Sequence, residues 1–545
     1  MYQAAPHVLK ACQHLCNLLP PLEKTKPQVL LLAGGAVDYR NDTDREIAFR
    51  QESNFYYLSG CNVPSSYLLI AYQPGTSLDA TPSVDLFIPK ASLQDMMWSV
   101  PPPSIADATD SHDVTAVAHP SALPEAIARL IKALPGALWH TLPRGSSLFP
   151  ALSEDYLTPV LAQENEGGAV TDFYLLSALH RARLIKDEHE ISLIRKACDI
   201  SSRAHEVVMR VLGAAAKGGI VAGAGAGVDR PLLPGEWLIQ KEAEAEAIFV
   251  ASCRREGAVH QAYLPIVAAS IRASTLHYCC NGGNDKEFAW GPVGSHDHRN
   301  DNSLSSGRAL KPQVLLIDAG CEWMCYASDI TRTMPVGNSG KFTAEANAIY
   351  SLVLEMQKAC MDIIKPGLHW DAVHMVSHRV LVRGFQKLGI FKSPGSPGGG
   401  SWASEEAILA SGVSTAFYPH GLGHSLGMDV HDVPSASKPA VNPSIADNNA
   451  GIQLGHPSMY EYLRLRLKLE TGMVVTVEPG IYFSPHLLAN VRDSRLIDHV
   501  VLKRYESVGG VRIEDVVHVT SDGMENLTQV RSDVEWIEGL CSGVL

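Results

Sequence analysis

Five side chains of metal-binding type are spread over the last 230 residues of the 545-residue chain. They are Asp318 in VLLIDAG, Asp329 in ASDITRT, His424 in HGLGHSLGMDVHD, Glu478 in VVTVEPG and Glu514 in VRIEDVV. Four of the five sit in, or at the end of, short runs rich in Val, Ile and Leu, the composition of buried strands. A carboxylate rarely enters such a run unless a cation meets it, because an isolated buried charge is strongly disfavoured. Several acids converging on one point repel each other. A pair of divalent ions turns the same set into a ligand cage, which is the order of residues a two-metal hydrolase needs.

Asp318 and Asp329 are eleven positions apart, so two strands with a short connection place them side by side on one sheet. Either acid alone is explained by a strand end beside a turn glycine; the pair inside LLIDAG and SDITRT is not. In FYPHGLGHSLGMDVHD, His420, His424 and His431 are interleaved with Gly421, Gly423 and Gly427 and followed by Asp432. The glycines let backbone approach a ligand closely. Glu478 closes the run MVVTV before Pro479-Gly480, and Arg512 stands two residues before Glu514, on the same strand face. An ordinary buried ion pair is the plain alternative for Arg512 and Glu514.

The elements that must position these groups fall into two regions. Over 1–185, QVLLLAG (28–34), NFYYLSG (54–60), SYLLIAY (66–72) and SVDLFIPK (83–90) read as strands, and PEAIARLIKAL (124–134) as a helix. That alternation predicts an α/β domain with a mixed sheet, with VPPPSIADATDSHD as a surface loop. A helix over 186–212 follows, with Asp187, Glu188 and Glu190 in its first turns and Ile191, Ile194 and Cys198 on its buried face. The domain boundary is placed just before it, giving a second domain over 186–545. Helical pairs there precede the acid-bearing strands, near 343–364 and 370–389. The stretches 217–236, 393–404 and 442–459 are Gly-, Pro- and Asn-rich and read as loops or insertions.

Composition narrows the class. A hydrophobic content of 46% and a net charge of −13 describe a soluble globular protein, with no basic stripe for nucleic acid. The eleven cysteines follow no disulfide or zinc spacing and read as buried, reduced thiols. No stretch approaches the ~20 apolar residues that span a bilayer, and the N-terminus lacks a signal-peptide pattern. The expectation is a cytoplasmic protein.

The run His420–Asp432 resembles the signature of the aminopeptidase P and prolidase family of metallopeptidases, and DAG, DITRT, EPG and RIED resemble its other ligand segments in order and spacing. The resemblance covers about 186–530, and FRQESNFYYLSG (49–60) is similar to part of the N-terminal domain that accompanies this family. It implies an α/β (α+β) chain, with a C-terminal pita-bread domain preceded by a smaller mixed α/β domain. It also implies two Mn(II) ions per subunit, with Asp318 and Asp329 holding one, His424 and Glu478 the other, and Asp329 and Glu514 bridging. Four carboxylates and one imidazole are a hard donor set that suits Mn(II). By the same resemblance Glu478 is the general base, His420, His431 and His277 contact substrate, and Arg512 orients Glu514 or the peptide.

The implied reaction is release of the N-terminal residue from peptides with proline second. The Xaa–Pro bond has no N–H and a ring-fixed geometry, so a dedicated pocket is chemically reasonable. A prolidase restricted to Xaa-Pro dipeptides is the alternative within the same chemistry. A metal-free binding module or creatinase-type hydrolase is the alternative outside it, although all five ligand positions here carry competent side chains. The number of subunits is left open, a homodimer included.

Overall fold

Burial on both faces decides the centre of the N-terminal region. Gln28–Ala33 is buried along its whole length, so from Val29 onward its sequence is continuously apolar instead of alternating. In the computed structural model, residues 2–75, 81–162, 169–218, 239–279, 288, 290–291, 309–438 and 455–545 are described. The chain divides into two compact units, Met1–Leu184 and Ile185–Leu545.

The first unit holds one six-stranded sheet. Its order is Ala116–Ala118, Ser83–Phe87, Tyr67–Tyr72, Gln28–Ala33, Leu138–His140, Ala169–Thr171. The central strand runs antiparallel to Tyr67–Tyr72 and parallel to Leu138–His140, so the sheet is mixed. The helix Leu123–Ala133 lays Leu123, Ala126 and Ile127 on Val29, Leu31, Leu69, Phe87 and Trp139.

Two expectations for this unit are corrected. NFYYLSG is a helix, Ser53–Ser59, and not a strand. The Glu52 carboxylate accepts the Phe55 N–H at 2.7 Å and starts it, and Gly60 ends it in the left-handed region at φ 65°. All seven helix residues are buried, so the aromatic content reflects burial on every side. The stretch read as the loop VPPPSIADATDSHD contains the helix Ile105–Ser111, whose Asp107 N–H is capped by Ser104 Oγ at 3.1 Å.

The second unit begins with the helix Glu188–Gly218, where Asp187 and Glu190 cap each other. Each carboxylate accepts the other's backbone N–H, at 2.9 and 3.0 Å. That helix packs against Glu242–Arg255, and Ala344–Met361 packs against Trp370–Leu388. Two three-stranded antiparallel sheets carry the acids. One is ordered Thr331–Val336, Gln313–Asp318, Ile266–Ala269; the other Val474–Val477, Asp515–Val519, Met524–Asn526. Gly480–Tyr482 pairs separately with Gly510–Arg512.

Single bridges stitch these pieces together. Thr331 sits opposite Asp318 in its own sheet and also bridges Glu514, while Ser425 bridges Val475. The register therefore brings both sheets and the histidine loop to one point. Of the loop-like stretches, 393–404 is irregular and ends in a single 3₁₀ turn at Ser401–Ala403. Most of 217–236 and of 442–459 lies outside the described residues. No described helix is long and apolar enough to cross a membrane.

Candidate metal centre

Asp318 ends its strand and Asp329 follows a tight excursion, Glu322–Trp323 against Tyr326–Ala327. The excursion folds back because Gly320 lies under Ser328: a Cβ there would stand 2.0 Å from the Ser328 carbonyl oxygen. The two aspartates share one hydroxyl. Tyr263 Oη donates to Asp318 Oδ1 and Asp329 Oδ1, both at 2.5 Å. Beneath them the buried ring of His205 places Nε2 3.2 Å from the Ala319 carbonyl and 3.1 Å from that of Ile330, tying the Asp318 and Asp329 segments together.

His424 is delivered by Gly423, whose missing side chain admits the strand beside it; a Cβ would meet the Thr476 carbonyl at 1.9 Å. Its Nδ1 lies 3.1 Å from the Ser425 carbonyl and its Nε2 lies 3.4 Å from Asp329 Oδ2 and 3.5 Å from Glu478 Oε1. Burial lowers the His424 pKa to about 4, so the ring is neutral at pH 7. With Nδ1–H donated to the carbonyl, the Nε2 lone pair faces two carboxylate oxygens, an arrangement that calls for a cation.

The acids make the same demand. Burial first, then the neighbouring charge of Asp318, raises Asp329 well above the ordinary carboxylate range. Burial and the charge of Glu514 raise Glu478, and burial and Asp329 raise Glu514. Glu514 Oε2 accepts the Thr331 hydroxyl at 2.6 Å, whereas its buried Oε1 has no hydrogen-bond partner among the described residues. One ligand atom each from Asp329, His424 and Glu514 lie within 4.8 Å of one another. The orphaned oxygen, the mutual repulsion and the oxygen-rich donors fit divalent ions between these residues.

The other expected residues surround this knot. Asp318, His420, His424, His431, Glu478 and Arg512 line one cavity of about 690 Å³, with His277 on its wall. Asp329 and Glu514 are absent from that lining. Arg512 donates to Asp318 Oδ2, to Thr331 Oγ1 at 3.1 Å and to Tyr482 Oη at 2.8 Å. Tyr482 Oη in turn lies 2.8 Å from His420 Nε2, and His420 Nδ1 lies 2.8 Å from the Gly421 carbonyl. Burial and then Arg512 push the His420 pKa down to about 3. The His431 ring stands edge-on to His424, centroids 4.4 Å apart, on the open side of the cavity.

Arg512 thus pairs with Asp318, not with Glu514. Glu514 is held instead by Thr331, and its backbone carbonyl accepts from Arg332 Nη1 at 2.9 Å. Sequence reasoning passed over Tyr263, Tyr482, Thr331, Arg332 and His205. For Arg332, its place inside the motif ASDITRT next to Thr331 was an available signal. Thr331 shares that motif; Tyr263, Tyr482 and His205 are single neutral side chains outside any motif and left none.

Fold and centre together define a metallohydrolase with a carboxylate-rich site on a two-unit α/β chain. Residues 192–521 match the family model described as metallopeptidase family M24, and residues 11–139 match the aminopeptidase P N-terminal domain. A probable Xaa-Pro aminopeptidase of Aspergillus clavatus is 36% identical over 546 residues, covering 99% of this chain and 98% of that protein. One from Podospora anserina is 35% identical, covering 99% and 97%. Among solved structures, Pseudomonas aeruginosa aminopeptidase PepP is 27% identical, with TM-score 0.68 and coverage of 99% and 98%. Escherichia coli aminopeptidase P in complex with substrate is 25% identical, with TM-score 0.69 and coverage of 99% of each chain.

The chain belongs to metallopeptidase family M24. Its fold is mixed α/β, an aminopeptidase P N-terminal domain followed by a pita-bread domain.

Proposed function

We infer that this protein is a divalent-metal exopeptidase that releases the N-terminal residue from peptides with proline in second position. The observation that carries the reading is the neutral His424 facing Asp329 and Glu478 beside the unpartnered Glu514 Oε1. In the fuller form of this proposal Asp318 and Asp329 would hold one Mn(II) ion and His424 and Glu478 a second, with Asp329 and Glu514 shared. Bound there, the ions supply positive charge that polarises a peptide carbonyl and acidifies a water. We assign unit Ile185–Leu545 to catalysis and unit Met1–Leu184 to the accompanying N-terminal domain, in a cytoplasmic enzyme.

The chain's own groups then divide the work. Thr476 Oγ1 donates to Glu478 Oε1 at 3.2 Å and orients that carboxylate to accept a proton. Tyr482, held by Arg512, donates to His420 Nε2, so His420 carries its proton on Nδ1 toward Gly421 and stays fixed beside the cavity. His431, on the open side, is placed to meet the substrate. His431→Ala should slow turnover of Gly-Pro-Ala roughly a hundredfold with bound metal near the wild-type amount. Loss of the metal in that variant would assign His431 to the ligand set instead.

One observation favours the dipeptidase form of the reading. Arg464 lines the same cavity, is exposed, and forms no ion pair with a described carboxylate. Such a guanidinium suits the C-terminal carboxylate of a Xaa-Pro dipeptide, which lies one residue beyond the cleaved bond. Arg464→Ala should raise KM for Gly-Pro roughly tenfold, the value of a charged hydrogen bond, and leave Gly-Pro-Ala amide unaffected. Equal effects on both substrates would remove Arg464 from specificity. Comparing turnover of Gly-Pro and Gly-Pro-Ala by the Mn(II)-loaded protein tests the whole proposal. With two ions bound and neither peptide cleaved, the proposal fails.

A further inference from the structure

A buried carboxylate outside the ligand set grips the segment that carries His277. Glu242 opens the helix Glu242–Arg255 and is fully buried. Its Oε1 accepts the Ala269 N–H and the Arg272 Nε–H, each at 2.7 Å, and its Oε2 accepts the Tyr278 hydroxyl at 2.7 Å. All three donors belong to one ten-residue stretch. It leaves the strand Ile266–Ala269, turns through Ser270–Ser274, and passes Leu276 and His277 on the cavity wall.

The opposite side of this stretch is held as tightly. A Cβ on Gly509, whose φ is 80°, would stand 1.9 Å from the Ser270 carbonyl oxygen, and one on Gly510 would stand 2.2 Å from that of Ala273. The turn is therefore pressed onto the strand that leads to Arg512. Ser270 adopts φ 56°, a left-handed conformation that a non-glycine residue keeps only where its surroundings enforce it. His277 itself is exposed, so its place at the cavity is set by its backbone. That backbone is fixed at one end by Ala269 and at the other by Tyr278, both through Glu242.

We propose that Glu242 is a positioning residue for the reaction: by holding Ala269, Arg272 and Tyr278 it fixes the 269–278 stretch so that His277 faces the substrate. The proposal rests on the exopeptidase reading and on the substrate role of His277 within it. A bland stabilising role would lower stability without regard to whether His277 is present.

The test measures kcat and KM on Gly-Pro-Ala with the full, Mn(II)-loaded chain, for Glu242→Ala, Glu242→Gln and Tyr278→Phe. Each is made in the wild-type and the His277→Ala background, with melting temperature and bound metal recorded. Glu242→Ala should lower kcat/KM on the order of tenfold with metal content unchanged. In the His277→Ala background it should cost almost nothing further, as expected for residues acting as a unit. Glu242→Gln should restore most of the loss, since its carbonyl still accepts from Ala269 and Arg272 and its amide can donate to Tyr278. Equal losses in both backgrounds overturn the proposal, as does full activity of Glu242→Ala. If Glu242→Ala does not fold, Tyr278→Phe decides: a several-fold loss is expected only where His277 is present, and no loss, or the same loss without it, overturns the proposal. A wild-type protein inactive on every Xaa-Pro peptide sinks the exopeptidase reading itself, whereas an active one with additive variants sinks only the role of Glu242.

Discussion

Glu514→Ala should leave no measurable turnover of a Xaa-Pro peptide, and the purified variant should carry less metal than the wild type. Among the described residues, Glu514 is the one acid at the centre with a buried oxygen that no protein donor reaches. Its other oxygen is committed to Thr331, and its ligand atom lies within 4.8 Å of those of Asp329 and His424. Removing it takes a donor from the middle of the set, so the loss should exceed the roughly 10–100-fold that follows deletion of an outer partner of a metal site. The same substitution removes one of the buried acids whose ionisation burial and Asp329 oppose. The metal-free variant should therefore melt no lower than the metal-free wild type, which separates loss of chemistry from loss of fold. Activity and metal content both unchanged would exclude Glu514 from the centre. A fall in melting temperature of the metal-free form would show that the Thr331 hydrogen bond and the packing lost with Glu514 outweigh the relief of burying one acid fewer.

That outcome depends on a feature legible in the amino-acid order alone: acids placed in apolar strands. Asp318, Asp329, Glu478 and Glu514 stood out because nothing in runs such as VLLID or VVTVE balances a carboxylate. The mixed α/β character was legible for the same reason, since short apolar runs alternate with helical periodicity. The helix Ser53–Ser59 was not, because burial on every side erases the 3.6-residue pattern and leaves strand-forming aromatics. The supporting residues were hidden for a different reason. Tyr263 spans Asp318 and Asp329, Tyr482 joins Arg512 to His420, and Thr331 joins Arg512 to Glu514. Each is one uncharged hydroxyl whose meaning comes from strand register, and register depends on contacts more than a hundred positions apart in two of these links. The pairing of Arg512 with Asp318 instead of Glu514 has the same origin. Two residues on one strand face are neighbours, yet the facing sheet supplies the closer acid.

The melting temperature of the metal-loaded protein minus that of the chelated protein should grow as pH rises from 6 to 8. In the metal-free centre Asp329, Glu478 and Glu514 hold their protons above the ordinary range, through burial and through each other's charge. An unfolded chain releases those protons near pH 4. Between that point and the raised native values the folded state binds more protons than the unfolded one, so its stability falls as pH rises. Cations at the centre replace those protons and cancel the fall. The buried histidines act in the other direction. His205 and His424, lowered to about 4, and His420, lowered to about 3, are neutral in the fold and protonate in the unfolded chain near pH 6.5. Below that pH both forms lose stability together, and for His205 and His420 the subtraction removes the effect. His424 is neutral in the fold throughout this range, so the subtraction removes its effect as well. With free metal at a hundred times its dissociation constant the stabilisation is about 2.7 kcal/mol, enough to move a melting curve by several degrees. A difference that stays constant across this range would mean that the carboxylates shed their protons as freely in the fold as in water, and the acidic centre would then need no cation.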